Sequence, residues 1–472
     1  MKILLTGATG YIAQRLLPVL LENGHHVVCV VRDINRFNIS KFENKEAISL
    51  IEADLLDRKS LDALPNDIDA VYYLVHSMSS NGKFSSMEEK CAANFVEAIN
   101  KTSAGQIIYL SGIVNKEELS EHLSSRKNVE DILAASSKPL TTLRAGIIVG
   151  SGSASFEIIR DLVEKLPVMI APKWLYTKCQ PISIRNVIEF LYGVLLKEDT
   201  FNHHYDIYGP DILTYKEMLL QFAETRGLKR HIITVPVMTP RLSSYWLYFV
   251  TSTSYSLAKN LVESMKIDVV AKENQLQQTL GIKLIPYKEA IKIAFDKIEQ
   301  NLVLSSWKDA MGQAKLNKNL SKHIKVPEYG VFVDLKKSKT KDAELAADRI
   351  FAIGGEAGWY YADWLWNFRG FLDKLFGGVG LKRGRKNRRF IAAGESLDFW
   401  RVLYANREES RLLLYAEMRL PGEAWLEFKI KNNVVTQTAT FRPLGLGGRL
   451  YWYAMLPFHY FIFNGMINKI TE

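Results

Sequence analysis

Between a short apolar run and an amphipathic one, the chain places Thr6-Gly7-Ala8-Thr9-Gly10-Tyr11-Ile12-Ala13. Lys2–Thr6 reads as a buried strand, and Gly10–Asn23, closed by Gly24, reads as a helix. A strand that turns at once into a helix has few backbone solutions. Gly7 allows the tight turn, and Gly10 has no side chain to keep a diphosphate away from the backbone. Ala13 is small where helix and strand must pack closely. The helix start then offers free N–H groups and positive partial charge, which suit an anion. Thr6, Gly7, Thr9, Gly10, Tyr11 and Ile12 are therefore expected to hold a nucleotide cofactor. A glycine triplet alone is a weak signal; after the first strand of a strand–helix series it is strong.

Such a series follows. His26–Val31, Ile48–Ala53, Ala70–Val75, Gln106–Leu110 and Thr141–Ala145 read as further strands, with a helical pattern over Glu88–Lys101. Repeated strand–helix–strand units predict a doubly wound α/β domain, a parallel sheet covered by helices on both faces. In such sheets the strand ends face the ligand crevice. The second strand ends at Arg32-Asp33, where an arginine accommodates a 2′-phosphate and an acid binds ribose hydroxyls. Arg32 comes first and Arg36 is near, which points to NADP; Asp33 on the ribose would point to NAD. Asp54 and Leu55 would line the adenine pocket, and Val75, His76 and Ser77 the nicotinamide side.

At 472 residues the chain is too long for one ordinary core, so two domains are expected. An extension of the first contains helices at Arg185–Lys197, Tyr215–Arg226 and Tyr287–Gln300, and strands at His204–Ile207 and Ile232–Pro236. Residues 1–302 form that domain, 303–326 a polar, lysine-rich linker, and 327–472 a second domain. There Val331–Leu335 reads as a strand and Lys341–Ile353 as a helix. Period-two strands follow at Asp398–Tyr404, Arg411–Met418, Trp425–Ile430 and Val434–Phe441, then an amphipathic helix over Leu446–Ile470. That order predicts an α+β domain around one curved sheet.

Three scattered cysteines argue against a disulfide framework and fit a reducing cytosol. Ile3–Leu5 is too short for a secretory signal, and no run reaches the roughly 18 apolar residues of a spanning helix. A cytoplasmic protein is expected. The nine histidines show no metal-site spacing, and no nucleophile elbow occurs, so no metal and no serine hydrolase are expected. Trp359–Phe368 packs six aromatics into ten residues, and Lys382–Arg389 six cations into eight. One reading makes them a peripheral contact with an anionic membrane. The preferred one is a helix gripping an internal pocket beside a solvated basic turn. No nucleic-acid module accompanies the cations, so no nucleic acid is expected.

The Thr-Gly-x-x-Gly-x-x-Ala turn, Arg32, Asp54-Leu55, Gln180-Pro181-Ile182, Gly209-Pro210 and Leu213-Thr214-Tyr215 together resemble the extended and atypical short-chain dehydrogenase/reductases. More closely, the chain resembles two-part bacterial proteins described as NAD(P)-binding or nucleoside-diphosphate-sugar-epimerase-like. The segments that carry this are Tyr73–Met78, Gly150–Phe156, Thr239–Trp246, Trp359–Trp366 and Leu456–His459. In those proteins a Rossmann-type domain is fused to a domain of unknown function. The second domain's element order is similar to START-like, helix-grip folds that enclose hydrophobic ligands. The resemblance implies NAD(P)-dependent oxidoreductase or isomerase chemistry on a hydrophobic small molecule. In active members the helix after the fifth strand carries Tyr-x-x-x-Lys, whereas here the same spacing holds His122 and Arg126. His122 could move a proton near neutral pH, Arg126 could bind ribose or phosphate, and Ser111 could donate to a carbonyl. The alternative is a non-catalytic, NADP-binding sensor or lipid-binding protein with a degenerate site.

Overall fold

A computed structural model describes residues 1–34, 44–75, 84–114, 121–235, 265–299, 331–375 and 395–472, with a few isolated residues between. The chain divides into two compact units, Met1–Lys315 and Leu316–Glu472.

The first unit is built on seven parallel strands: β1 (Lys2–Leu5), β2 (His26–Val31), β3 (Ile48–Glu52), β4 (Ala70–Tyr73), β5 (Ile107–Gly112), β6 (Leu140–Ala145) and β7 (His203–Ile207). Their order across the sheet is β7-β6-β5-β4-β1-β2-β3. The central strands β1, β2 and β4 are apolar almost throughout because both faces are covered. Ile3 and Leu5 face one core with Val27, Cys29 and Tyr72, and Leu4 faces the other with Val28, Val71 and Tyr73. Helices α1 (Ala13–Glu22) and α5 (Ile184–Gly193) contribute to the first core. Helices α2 (Phe84–Ile99) and α3 (Glu121–Ala134) contribute to the second.

The chain leaves β1 toward β2 and β3, then returns to place β4 on the other side. A crevice opens at that reversal, outside the carboxyl ends of β1 and β4. The strand read as part of the extension is instead β7, paired with β6 as the edge of the main sheet. Its two exposed leading histidines hide the buried-strand pattern. The extension keeps its own core of α4 (Ala154–Lys165), α6 (Tyr215–Thr225) and α7 (Tyr287–Glu299).

The second unit has six antiparallel strands in the order β8-β13-β12-β11-β10-β9. These are β8 (Phe332–Lys339), β9 (Ser396–Leu397), β10 (Trp400–Asn406), β11 (Arg411–Ala416), β12 (Gly422–Lys431) and β13 (Val434–Pro443). Helices α8 (Ala343–Ala352) and α9 (Asp363–Leu375) follow β8, and α10 (Gly445–Thr471) ends the chain. Along β8 every second residue is exposed, the signature of a sheet with one covered face. On that covered face Phe332 stacks on Trp452 of α10 with ring centroids 5.5 Å apart, and Ser338 hydrogen-bonds Thr471 at 2.9 Å. The residues read as a linker lie outside the described residues, Val326 excepted.

Candidate functional site

The glycine turn sits at the β1/β4 reversal. Gly7 adopts φ +65°, and a Cβ there would lie 2.5 Å from the Leu74 carbonyl oxygen, so only glycine fits. Thr6 locks the same junction: its hydroxyl donates to the Tyr72 carbonyl at 3.1 Å and accepts from the Leu74 N–H at 3.2 Å. Thr6 therefore shapes the turn through its side chain. A Cβ on Gly10 would meet, among the described residues, only the Gly7 carbonyl oxygen. The N-cap of α1 is Ile12, which makes no side-chain cap hydrogen bond. The Gln14 and Arg15 N–H groups donate to the Gly10 and Ile12 carbonyls at 3.0 Å each, so the donors left to water or to a ligand are those ahead of Gln14. A tight glycine turn leading into an uncapped helix fits a dinucleotide diphosphate.

A clasp that sequence reasoning did not read holds this turn. Arg15 stacks over the Tyr11 ring at 3.8 Å, donates to the Tyr11 carbonyl at 3.0 Å and reaches the Ser151 carbonyl at 2.7 Å. Gly150 must be glycine, since a Cβ would lie 2.4 Å from Ile184 Cγ2 and 2.6 Å from the Tyr11 hydroxyl. Burial pushes the Tyr11 phenol up to about 12 despite the adjacent Arg15 guanidinium. Tyr11 is thus a neutral wedge between the turn and the Gly150–Ser153 loop. The only signal was the run Gly150-Ser151-Gly152-Ser153, whose partner stands over a hundred positions away.

At the end of β2, Arg32 is exposed and Asp33 buried. Burial raises the Cys91 thiol to about 12, with Asp54 adding to the rise and Arg32 opposing it, so the three are electrostatic neighbours. Asp54 closes its own turn by accepting from the Leu56 N–H at 3.0 Å, and the Leu55 carbonyl accepts from Asn94 at 2.8 Å. Leu55 is buried and Val75 half-buried. Arg36, His76 and Ser77 lie outside the described residues.

At the end of β5, Ser111, the residue before Gly112, is fully buried, and its hydroxyl lies by the Tyr109 phenol. The stem of Arg126 on α3 would lie 3.5 Å from a Cβ on Gly112, and Arg126 Nε is buried without a partner among the described residues. Burial pushes the Tyr109 phenol up to about 12, against the lowering influence of Arg126. Two anchors fix α3. Glu130 accepts two bonds from Arg144 of β6, at 2.6 and 3.1 Å, and Ser125 donates to Glu88 of α2 at 2.6 Å. His122 stands on α3 one turn before Arg126; its side chain lies outside the described residues. Among the described residues no group of three or more His, Cys, Asp or Glu could hold a metal ion, and no helix is long and apolar enough to cross a membrane.

Comparison with known proteins agrees with this division. Residues 7–160 match a family described as NAD(P)H-binding, and residues 329–466 one described as a protein of unknown function (DUF2867). The divinyl chlorophyllide a 8-vinyl-reductase of Cucumis sativus is 25% identical over 226 residues, 44% of this chain and 53% of that protein. The 40 kDa subunit of mitochondrial NADH-ubiquinone oxidoreductase from Neurospora crassa is 22% identical over 237 residues, 49% of this chain and 61% of that protein. The chain spans about half the length of the curated relatives it matches. A nucleoside-diphosphate-sugar epimerase structure from Staphylococcus aureus superposes with TM-score 0.51 at 16% identity, covering 62% of this chain and all of that one, which shows the fold. Within the first unit residues 7–160 thus match an NAD(P)H-binding family and the fold is similar to that of the epimerase structure, while most of the second unit matches a family of unknown function.

Proposed function

We propose that the first unit is an NADP(H)-dependent oxidoreductase or isomerase acting on a hydrophobic small molecule. The observation that carries this is the buried Arg126 Nε, without a hydrogen-bond partner among the described residues, close to the strand end that holds the buried Ser111 hydroxyl and beside the crevice where the turn would seat the dinucleotide. Leaving such groups unpaired costs free energy unless a ligand or water meets them. When bound, the dinucleotide supplies or takes up hydride. The chain's part is to hold the acceptor: Ser111 donates to its oxygen, and the Arg126 guanidinium, always charged, stabilises negative charge that develops there. Arg126 cannot titrate, so the proton is assigned to His122, one helical turn away and so on the same face of α3. The Arg32 position favours NADP over NAD.

A second reading has its own support. The Tyr and Lys of the active family are replaced by His122 and Arg126, and one relative is named as a subunit of a larger oxidoreductase. In this reading dinucleotide occupancy sets a conformation while the second unit, of START-like helix-grip form, holds a lipid, isoprenoid or quinone-like ligand. Its support is the strand, two helices, antiparallel strands and long last helix, with buried Trp366 and Trp400 indole nitrogens lacking acceptors among the described residues.

The test is NADPH oxidation with a panel of hydrophobic carbonyls and quinones. The wild type should reduce at least one acceptor, and His122→Ala and Arg126→Ala should each slow it by about a hundredfold or more. NADPH binding without reduction of any acceptor would remove the catalytic reading and leave the binder.

A further inference from the structure

The segment that leaves β6 ties together two ends of the crevice. It begins beside the end of β5, where the Ile113 N–H donates to the Ala145 carbonyl at 3.2 Å, next to the strand end that holds Ser111. It then brings Gly150 and Ser151 against Tyr11 and Arg15 at the glycine turn. Strand β1 is three places from β6 in the sheet, about 14 Å at the usual strand spacing. Residues 146–153 thus join the strand end assigned to the acceptor with the turn assigned to the diphosphate.

The contacts continue from the clasp into the extension. The Gly152 N–H donates to Glu157 at 3.1 Å. Ser153 caps α4, its hydroxyl accepting from the Phe156 N–H at 3.2 Å and donating to the Ile148 carbonyl at 2.9 Å. Phe156 is buried against Phe222 of α6 and Phe295 of α7, with ring centroids 5.5 and 5.3 Å away. Behind the loop, Ile148 and Val149 pair with Ile182 and Ser183, and Ser183 caps α5. The loop therefore leads directly into the extension's core.

We infer that Tyr11 and Arg15 are positioning residues through which a dinucleotide seated on the turn orders the Gly150–Ser153 loop, and so readies the acceptor side before the acceptor binds. This rests on the NADP(H) reading of the turn and not on which reaction runs there. Tyr11 belongs to the stretch ahead of Gln14 whose N–H groups would grip the diphosphate. Gripping it removes freedom from that stretch, and a fixed Tyr11 ring restricts the loop packed on it. Arg15 suits the task because its planar guanidinium stacks on the Tyr11 ring while its donors reach the Tyr11 and Ser151 carbonyls, one on each side of the joint. Coupling between sites is reciprocal, so loss of the clasp also weakens dinucleotide binding.

The experiment is hydrogen exchange of the full chain, free and saturated with NADPH, read by mass spectrometry over residues 7–16 and 150–157. NADPH should slow both stretches, the second by about tenfold or more. In Arg15→Met the turn should still be slowed, while slowing of the second stretch falls to about twofold or less and NADPH affinity drops about fivefold. Arg15→Lys should rescue neither, since an ammonium cannot both stack and bridge two carbonyls. A contact that only supports the fold would change exchange equally with and without NADPH, and that result overturns the proposal. Undiminished slowing of the second stretch in Arg15→Met overturns it as well. Should that variant fail to fold, Tyr11→Phe, which keeps the ring and deletes the hydroxyl facing Gly150, is read in the same way. Wild type that binds NADPH and protects the turn but not the second stretch sinks the coupling alone. No binding at all in calorimetric titration removes the dinucleotide reading together with it.

Discussion

The two units solve the problem of burying apolar surface in opposite ways. In the first, helices cover both faces of a parallel sheet, so unusual residues can stand only at strand ends, where Gly7, Arg32 and Ser111 are found. In the second, helices cover one face of an antiparallel sheet while Leu403, Leu413, Tyr415 and Trp425 form a smaller buried cluster on the other, and unusual residues gather within those layers or on the outside of the helices. Among the described residues fourteen large apolar side chains stand exposed in the second unit and eight in the first, although the first is about twice as long. A site can therefore be sought in the first unit by topology, whereas in the second it must be sought by asking which polar groups are buried and which apolar ones are not.

Among the described residues each unit contains one deeply buried, two-pronged Arg–Glu pair, which allows the sharpest test of their independence. Arg144 and Glu130 join β6 to α3, and Arg401 and Glu417 join β10 to the residue after β11. Removing one partner of such a pair leaves a buried charge and costs about 3–5 kcal/mol. Glu417→Ala should lower the unfolding free energy of the second unit by that amount, seen as a fall in its urea midpoint, and leave NADPH binding unchanged. Tryptophan fluorescence reads it, since six of the nine tryptophans belong to that unit. Glu130→Ala should do the reverse and also weaken turnover, because α3 carries Arg126 and His122. If either variant melts both units together, the division into two cooperative blocks is wrong.

How much of this was legible follows the same contrast. Strands β1, β2, β4 and β5 could be read because burial on both faces makes them nearly continuous apolar runs between turn residues, and β3 and β6 by their place in the same series. β7 could not be placed, since its exposed leading histidines conceal an edge strand of a parallel sheet. Helix α9 was hidden for a different reason. Trp364, Phe368, Phe371 and Leu375 lie on one face and Trp366 and Gly370 on the other, so no single period stands out. Residues 6–12, Arg32, Asp54 and Leu55 were chosen by their place after strands. The clasp of Tyr11, Arg15 and Ser151 escaped because it depends on a contact 136 residues apart along the chain.

A second, smaller difference should appear with pH. His459 on α10 lies between Trp452 and Phe463, with centroids 5.2 and 5.0 Å away, and its Nδ1 is buried without a partner among the described residues. Burial lowers its pKa to about 4, the Lys336 ammonium acting in the same direction and the Asp334 carboxylate against it. The unfolded value is about 6.5. The folded state thus holds the neutral ring and the unfolded state takes the proton first. Stability from this residue is complete above about pH 6.5, falls as pH drops, and is gone below about 4, a loss of at most about 3 kcal/mol. His459→Phe should flatten the acid slope of the second unit's unfolding and leave that of the first unchanged. An unaltered slope would show that other groups govern it.

The smallest effect concerns ligand selectivity and belongs to the first unit alone. A ligand that binds only the folded state raises its stability in proportion to RT ln(1 + [L]/Kd). NADPH should therefore raise the first unit's transition and leave the second's in place. Arg32 is exposed at the end of β2, so its guanidinium would meet a 2′-phosphate while still partly hydrated. Such a contact is worth about 1–2 kcal/mol, or roughly tenfold in affinity. Arg32→Ala should cost NADPH about that factor and NADH almost nothing, read by calorimetric titration of both. An equal loss for the two would place the 2′-phosphate elsewhere. Asp33, buried beside Arg32, would then be the residue that reads the ribose, and the preference would turn toward NADH.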